Sequence, residues 1–255
     1  MAERRRIRRG GRSRKGREGA VYVEFLVAFP IMLMFFLCLI QLGLIYTANL
    51  SVEHAATRAA RAAVVILPDD PDRYDGQPMH QINPEVYDAS PFPGALGTIL
   101  EVLTALTGDT SDRMSVIRRA AWIPLIPVSP STQAITREFT VANSLDSGVA
   151  KVAASAVYSS ASTAVTFYAE PGSTEMIWDF EPRQEITTRV THLYYCSVPL
   201  ARMVICKSLA DAEADEPVRA ELSQTSGRIL SLWSGRFLAL RAESTMPNQG
   251  ANYAW

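Results

Sequence analysis

Residues 16–40 read GREGAVYVEFLVAFPIMLMFFLCLI, and past Glu18 the one acid, Glu24, is set against the start of a long apolar run. A carboxylate among side chains that face lipid costs roughly 2.5–3.5 kcal/mol even on the lenient insertion scale. Glu24 therefore either reaches water at the membrane edge or is the functional point of the segment. From Phe25 to Ile40 sixteen consecutive residues carry neither charge nor amide, and Gln41 is the only strongly polar interruption before Tyr46. At 1.5 Å per residue, Phe25–Tyr46 extends about 33 Å, enough to cross a hydrocarbon core of about 30 Å. A secretory signal has a shorter apolar core followed by a small-x-small cleavage site. Nothing of that type follows here, so the segment is expected to stay attached.

Charge is unevenly distributed around this run. Residues 1–18 hold nine Lys and Arg side chains against Glu3 and Glu18, whereas the rest of the chain carries sixteen basic and twenty-four acidic residues, a net of −8. A basic run can bind nucleic acid, form a solvated tail, or mark the side of a membrane that stays cytoplasmic. Its place directly before a hydrophobic span favours the third, and no nucleic-acid partner is expected.

After Tyr46 the sequence TANLSVEHAATRAARAAVVILPDDPD has no Gly or Pro between Thr47 and Leu67. Apolar or small residues at Leu50, Val52, Ala55, Ala59, Ala62, Ala63 and Ile66 recur at spacings of three and four, with His54, Arg58 and Arg61 on another face. The pattern predicts one helix from about Val21 to Ile66, roughly 70 Å long. Pro68 and the DDPD that follows end it. Pro30 deprives the Leu26 carbonyl of its usual partner, and a kink there is tolerated in membrane helices.

From Arg17 to about Ala63 the chain resembles the TadE-like family, the minor pseudopilins of Tad-type (tight adherence) pili. The residues that carry the resemblance are a basic leader ending in Gly19, and AVYVEF, in which Ala20 would be the first mature residue, Glu24 the fifth and Phe25 the sixth. Pro30 inside the span and the stalk AATRAARAA complete it. The family has an acid two places before a Gly near the end of the span; here the pair is Gln41 and Gly43, so any role that needs charge there is in doubt. The resemblance implies cleavage between Gly19 and Ala20 by a prepilin peptidase on the cytoplasmic face of a bacterial inner membrane. It also implies partners among other pilin and pseudopilin subunits, the inner-membrane assembly platform and membrane lipid. Gly at the cut suits the extended backbone a protease requires. The new α-amino group, with an ordinary pKa of about 8, is mostly protonated at neutral pH. In an array of parallel helices the Glu24 carboxylate of one subunit can meet that amine on its neighbour and fix their register. The competing reading is a Glu24 that snorkels to water.

The remainder reads as a domain of helices and an antiparallel sheet. Leu67–Gly94, rich in Pro, Asp and Gly, is expected to be an exposed loop. Ala95–Leu106, Ser111–Ala121 (with a Ser cap) and GVAKVAASAVYSSA have helical spacing. Ser162–Glu170, Glu185–Cys206 and Gly235–Thr245 are rich in β-branched and aromatic residues and read as strands before a loose tail. The expected fold is α+β and pilin-like: a leader over 1–19, a transmembrane helix over 20–46, a stalk over 47–67 and an extracytoplasmic domain over 68–255.

Cys38 lies mid-span as a small apolar residue. Cys196 and Cys206 fall in the exported part, where oxidation is permitted, and are either bridged or two core thiols. No metal or cofactor is expected, since His192 beside these cysteines gives three ligands in no common zinc pattern. Neither Gly-x-Ser-x-Gly, His-Glu-x-x-His, a Walker loop nor a glycine fingerprint occurs, and no catalytic residue is assigned. The sequence therefore points to a non-enzymatic pseudopilin in pilus assembly or priming. The alternatives are a signal-anchored periplasmic structural protein of the same machinery and, behind it, a membrane-tethered hydrolase.

Overall fold

Lys15–Ile66 form a single helix, α1, of 52 residues, about 78 Å long at the α-helical rise. This is a computed structural model, and it describes residues 15–83, 112–130, 148–208, 210–211, 214–223 and 235–248. The helix starts six residues before the expected Val21 and continues through Pro30. Along its first half Phe25, Leu26, Ile31, Met32 and Phe35 are all exposed, while Met34, Leu37 and Cys38 are half-buried. Its second half is a core element. Ala48, Val52, Ala55, Ala56, Ala59 and Ala63 have no exposed surface, and these positions recur every three to four residues along one face. Leu50, expected on that face, is instead 47% exposed; two residues from Ala48 it is rotated to the far side of the helix. His54, Arg58 and Arg61 face outward.

The Ala stripe lets a sheet approach closely. Strands β1 (Thr163–Tyr168), β2 (Glu185–Tyr195), β3 (Lys207–Ser208) and β4 (Arg236–Pro247) form an antiparallel sheet in the order β1-β2-β4-β3. β2 and β4 pair along the whole length of β2, from Glu185 opposite Pro247 to Tyr195 opposite Phe237. Alternation sends Val165, Phe167, Ile186, Val190, Tyr194, Leu240 and Ala242 toward α1 and its neighbours. Ala164, Leu193 and Phe237 face the other way and pack with Tyr158 and Val218. With both faces covered, every residue of β1 is buried.

Helix α2 (Arg113–Trp122) packs on α1, followed by a 3-10 helix at Ile123–Val128. Helix α3 (Gly148–Ser162) leads into β1. The cap of α2 is Asp112 rather than the expected Ser111: the Asp112 carboxylate accepts the Ser115 N–H at 3.2 Å. Glu185–Cys206 is not strand throughout. β2 stops at Tyr195, and Ala201–Ile205 form a short helix, α4; Pro199, which has no N–H to give a ladder, stands between them. The segment after α1 is also less exposed than its composition suggests, since Leu67, Tyr74 and Ile82 are buried. The helical expectation at 95–106 and the chain end at 249–255 lie outside the described residues.

Two buried cations fasten these parts. Arg113, fully buried, donates to the carbonyl oxygens of Ile66, Leu67, Asp69 and Gln77, and its guanidinium lies over the Tyr74 ring at 4.7 Å. Helix α1 has no basic residue in its last turn. Arg113 supplies from α2 the positive charge and the donors that a helix C-terminus lacks. On the opposite face of the sheet, Glu221 of α5 (Glu216–Ser223) is 1% exposed and meets Arg189 and Arg241, each at 3.0 Å, while Thr191 donates to it. Arg189 also reaches Glu243 at 2.6 Å and stacks on Tyr168. Removing one partner of such a pair costs about 3–5 kcal/mol, so this cluster holds α5 to the sheet.

His192 on β2 has no exposed surface, and its Nδ1 lies 2.9 Å from Thr163 Oγ1. Burial pushes its pKa down to about 3, well below the ordinary value of about 6.5. Between those limits the unfolded chain binds more protons than the folded one. Stability therefore rises with pH across this window and is lost as pH falls through it. Going from pH 7 to pH 5 should cost about 2 kcal/mol through this group. Thermal melts at both pH values should show that loss in the wild type and a smaller one in His192→Gln. Equal losses would contradict a buried neutral imidazole.

Candidate assembly and membrane site

The residues that point to function lie at the two ends of the exposed half of α1. Gly19 and Ala20 belong to the helical backbone, in the second turn of α1. Glycine lowers helix stability by about 1 kcal/mol relative to alanine, which makes this turn weaker than an alanine turn. Four residues on from Ala20, about 6 Å of rise, Glu24 is exposed. No ion pair reaches it among the described residues. Phe25 is 58% exposed and its ring stacks on Phe29 with centroids 5.1 Å apart. Pro30 is exposed one turn further. Beyond Glu24 the surface is Leu, Ile, Val, Met and Phe on all sides, which suits lipid or the apolar surface of another helix and not water. By length and composition this is one helix able to cross a membrane, and its most apolar window is wholly unburied. It fits a single-pass anchor.

At the other end the helix enters the folded domain at Gln41. This side chain has no exposed surface, and its Oε1 accepts the Val198 N–H at 3.1 Å. A neutral amide makes this bond without burying a charge, as a carboxylate in the same place would have to do. Gln41 thus serves as an acceptor through Oε1, while its Nε2 is buried without a hydrogen-bond partner among the described residues. Val198 lies inside the loop closed by a disulfide between Cys196 and Cys206, whose Cα atoms are 6.6 Å apart. Closing a loop of this size stabilises the fold by about 3 kcal/mol in the chain-entropy picture. The bridge holds the backbone donor that meets Gln41. Cys38, one turn before Gln41, is half-buried and free.

The structure thus brings Cys196, Cys206 and Gln41 together, and leaves Glu24, Phe25 and Pro30 exposed along the same helix that carries Gly19 and Ala20. The histidines do not gather: His54 is exposed on α1, His80 follows the 3-10 helix at Pro71–Arg73, and His192 is inside the sheet. Sequence reasoning missed the contact between Gln41 and the disulfide loop. The one local signal was an amide where the span was otherwise apolar.

Comparison with known proteins adds one match. Residues 19–61 fit the family model described as TadE-like protein, in agreement with the resemblance read from the sequence. The match begins at Gly19 and includes Glu24, Phe25, Pro30, Gln41, Gly43 and most of the Ala-rich stalk. It leaves the sheet outside. A search of curated proteins and of solved structures found no match.

Proposed function

We propose that this chain is a minor pseudopilin that takes part in assembling or priming a Tad-type pilus, and that its work is structural and not catalytic. The observation that carries the reading is Glu24, a lone exposed acid at the start of a bare apolar helix, inside the segment that matches TadE-like proteins. In this reading residues 1–19 are a cytoplasmic leader removed by a prepilin peptidase, 20–46 span the inner membrane, 47–67 form the stalk and 68–255 the extracytoplasmic domain. Cleavage removes nine positive charges and frees the Ala20 amine. Packed beside another pilin, that amine meets a Glu24 carboxylate away from water, and the pair sets the stagger between subunits. Helix α1 alone offers apolar surface on every side, so it can pass from lipid into a bundle of like helices without exposing a polar face. The other partners are pilin and pseudopilin subunits and the membrane platform that extracts them.

Deleting the chain in its own bacterium tests the function directly. The surface should lose most of its pili while the major pilin still accumulates in the membrane, and the full-length chain should restore them. Unchanged pilus counts in the deletion strain would end the proposal.

A further inference from the structure

We propose that α4, within the Cys196–Cys206 loop, is a membrane-surface element: Leu200, Met203 and Val204 sit among the headgroups and upper acyl chains on the extracytoplasmic side of the bilayer. This rests on the reading of α1 as the membrane span. Within five positions these three large apolar side chains are 47%, 61% and 67% exposed, although Ala201 and Cys206 of the same segment are buried. Leu200 adopts φ 65° and ψ −56°, and the Ala201 N–H closes a three-residue turn on the Pro199 carbonyl at 2.8 Å. A central residue with positive φ in such a turn is rare and strained, more so for a residue with a Cβ. Strain of this kind persists only where the surroundings impose it and clusters at functional positions. Here the turn leaves a leucine raised off the domain.

Position along α1 identifies the occupant. The loop docks at Gln41 through Val198, and α4 packs against α1. From Phe25 to Gln41 the helix rises about 24 Å, against a hydrocarbon core of about 30 Å. With Glu24 at the cytoplasmic edge, α4 is therefore level with the last stretch of lipid or the headgroups above it. Leu42, Leu44 and Tyr46 of α1 are exposed within about 8 Å of rise beyond Gln41, so apolar side chains of the loop and of the span lie at a similar depth. Charge fits as well. Arg202 lies within α4, Lys207 just beyond it is exposed, and the Arg236 guanidinium donates to the Met203 and Cys206 carbonyls. Basic side chains flanking a short apolar segment, with an aromatic at the same depth, suit a phospholipid interface.

The test uses the full chain in vesicles of phosphatidylethanolamine and phosphatidylglycerol. A diazirine-bearing amino acid replaces Phe36 in the span, Met203 in α4, or Met79 near the far end of α1, one at a time, and light-induced adducts are identified by mass spectrometry. Lipid adducts are expected from positions 36 and 203 and should be lost at 79, which is also exposed. Lipid at 36 without lipid at 203 overturns the proposal while leaving the span intact. Adducts from 203 to a second copy of the chain overturn it in favour of a subunit contact. Equal lipid labelling at 79 and 203 overturns it by removing any preference for α4. No lipid at 36 overturns the span reading, and the proposal with it.

Discussion

Replacing Glu24 with Gln is expected to yield a processed, membrane-inserted subunit that assembles few or no pili. The substitution keeps the size and hydrogen-bonding capacity of the side chain and removes its charge. The leader and Gly19 are untouched, so cleavage should continue. The apolar run after residue 24 is also unchanged, so insertion should persist. On the proposed pairing, what is lost is the partner for a neighbouring subunit's Ala20 ammonium. Removing one member of a desolvated ion pair costs about 3–5 kcal/mol, more than two decades in an association constant. A Glu24 that reaches water predicts the opposite, because nothing then depends on its charge. Pilus counts and surface adhesion, beside an immunoblot showing equal amounts of processed subunit, separate the two. Normal piliation in that strain would remove the pairing mechanism and leave the membrane anchor standing.

The second large effect is on stability. Arg113→Met keeps a long apolar stem but withdraws every donor from the buried carbonyls of Ile66, Leu67, Asp69 and Gln77. Hydrogen bonds from a charged donor contribute about 1.5–3 kcal/mol each, and orphaned buried acceptors carry a further penalty. A loss of at least about 3 kcal/mol follows even if water reaches some of them. For a folded unit of this size it lowers Tm by roughly 6–12 °C. Arg73 is the control: it is 72% exposed and paired to Asp69 at 3.6 Å, a contact worth under about 1 kcal/mol. Melts of the full chain in detergent should show a large drop for Arg113→Met and almost none for Arg73→Met. Matching drops would mean that the C-terminal end of α1 is not held by Arg113.

How legible these features were in the sequence follows their range along the chain. Helix α1 could be read because its signals are local: an apolar run from Phe25 to Ile40, then Ala at helical spacing with no Gly or Pro between Thr47 and Leu67. Gly19, Glu24, Phe25 and Pro30 stand out the same way, as a short pattern within the one segment that matches the TadE-like model. Strands β1 and β4 showed through their β-branched and aromatic residues. The same signal misled at Glu185–Cys206, where Val, Met and Ile continue past Tyr195 into a loop whose path is set by Pro199 and by a bridge between residues ten apart. Ser111 and Asp112 are both good caps, and only geometry separates them. Arg113 left no trace at all. Its partners are backbone carbonyls 36–47 residues away, and a carbonyl has no sequence signature. Gln41 and Val198 meet across 157 residues, so an amide in the span could be noticed without its partner being found.

The central claim is that this chain is a peptidase-processed pilus subunit, and the first residue of the mature protein tests it most directly. Protein purified from the membranes of the native bacterium, which supplies the peptidase, is examined by N-terminal sequencing and intact mass. A start at Ala20-Val21-Tyr22 is the expected result, and Gly19→Arg should abolish it by placing a bulky charged side chain at the scissile bond. A chain from the same cells that begins at Met1 or Ala2 would contradict the claim.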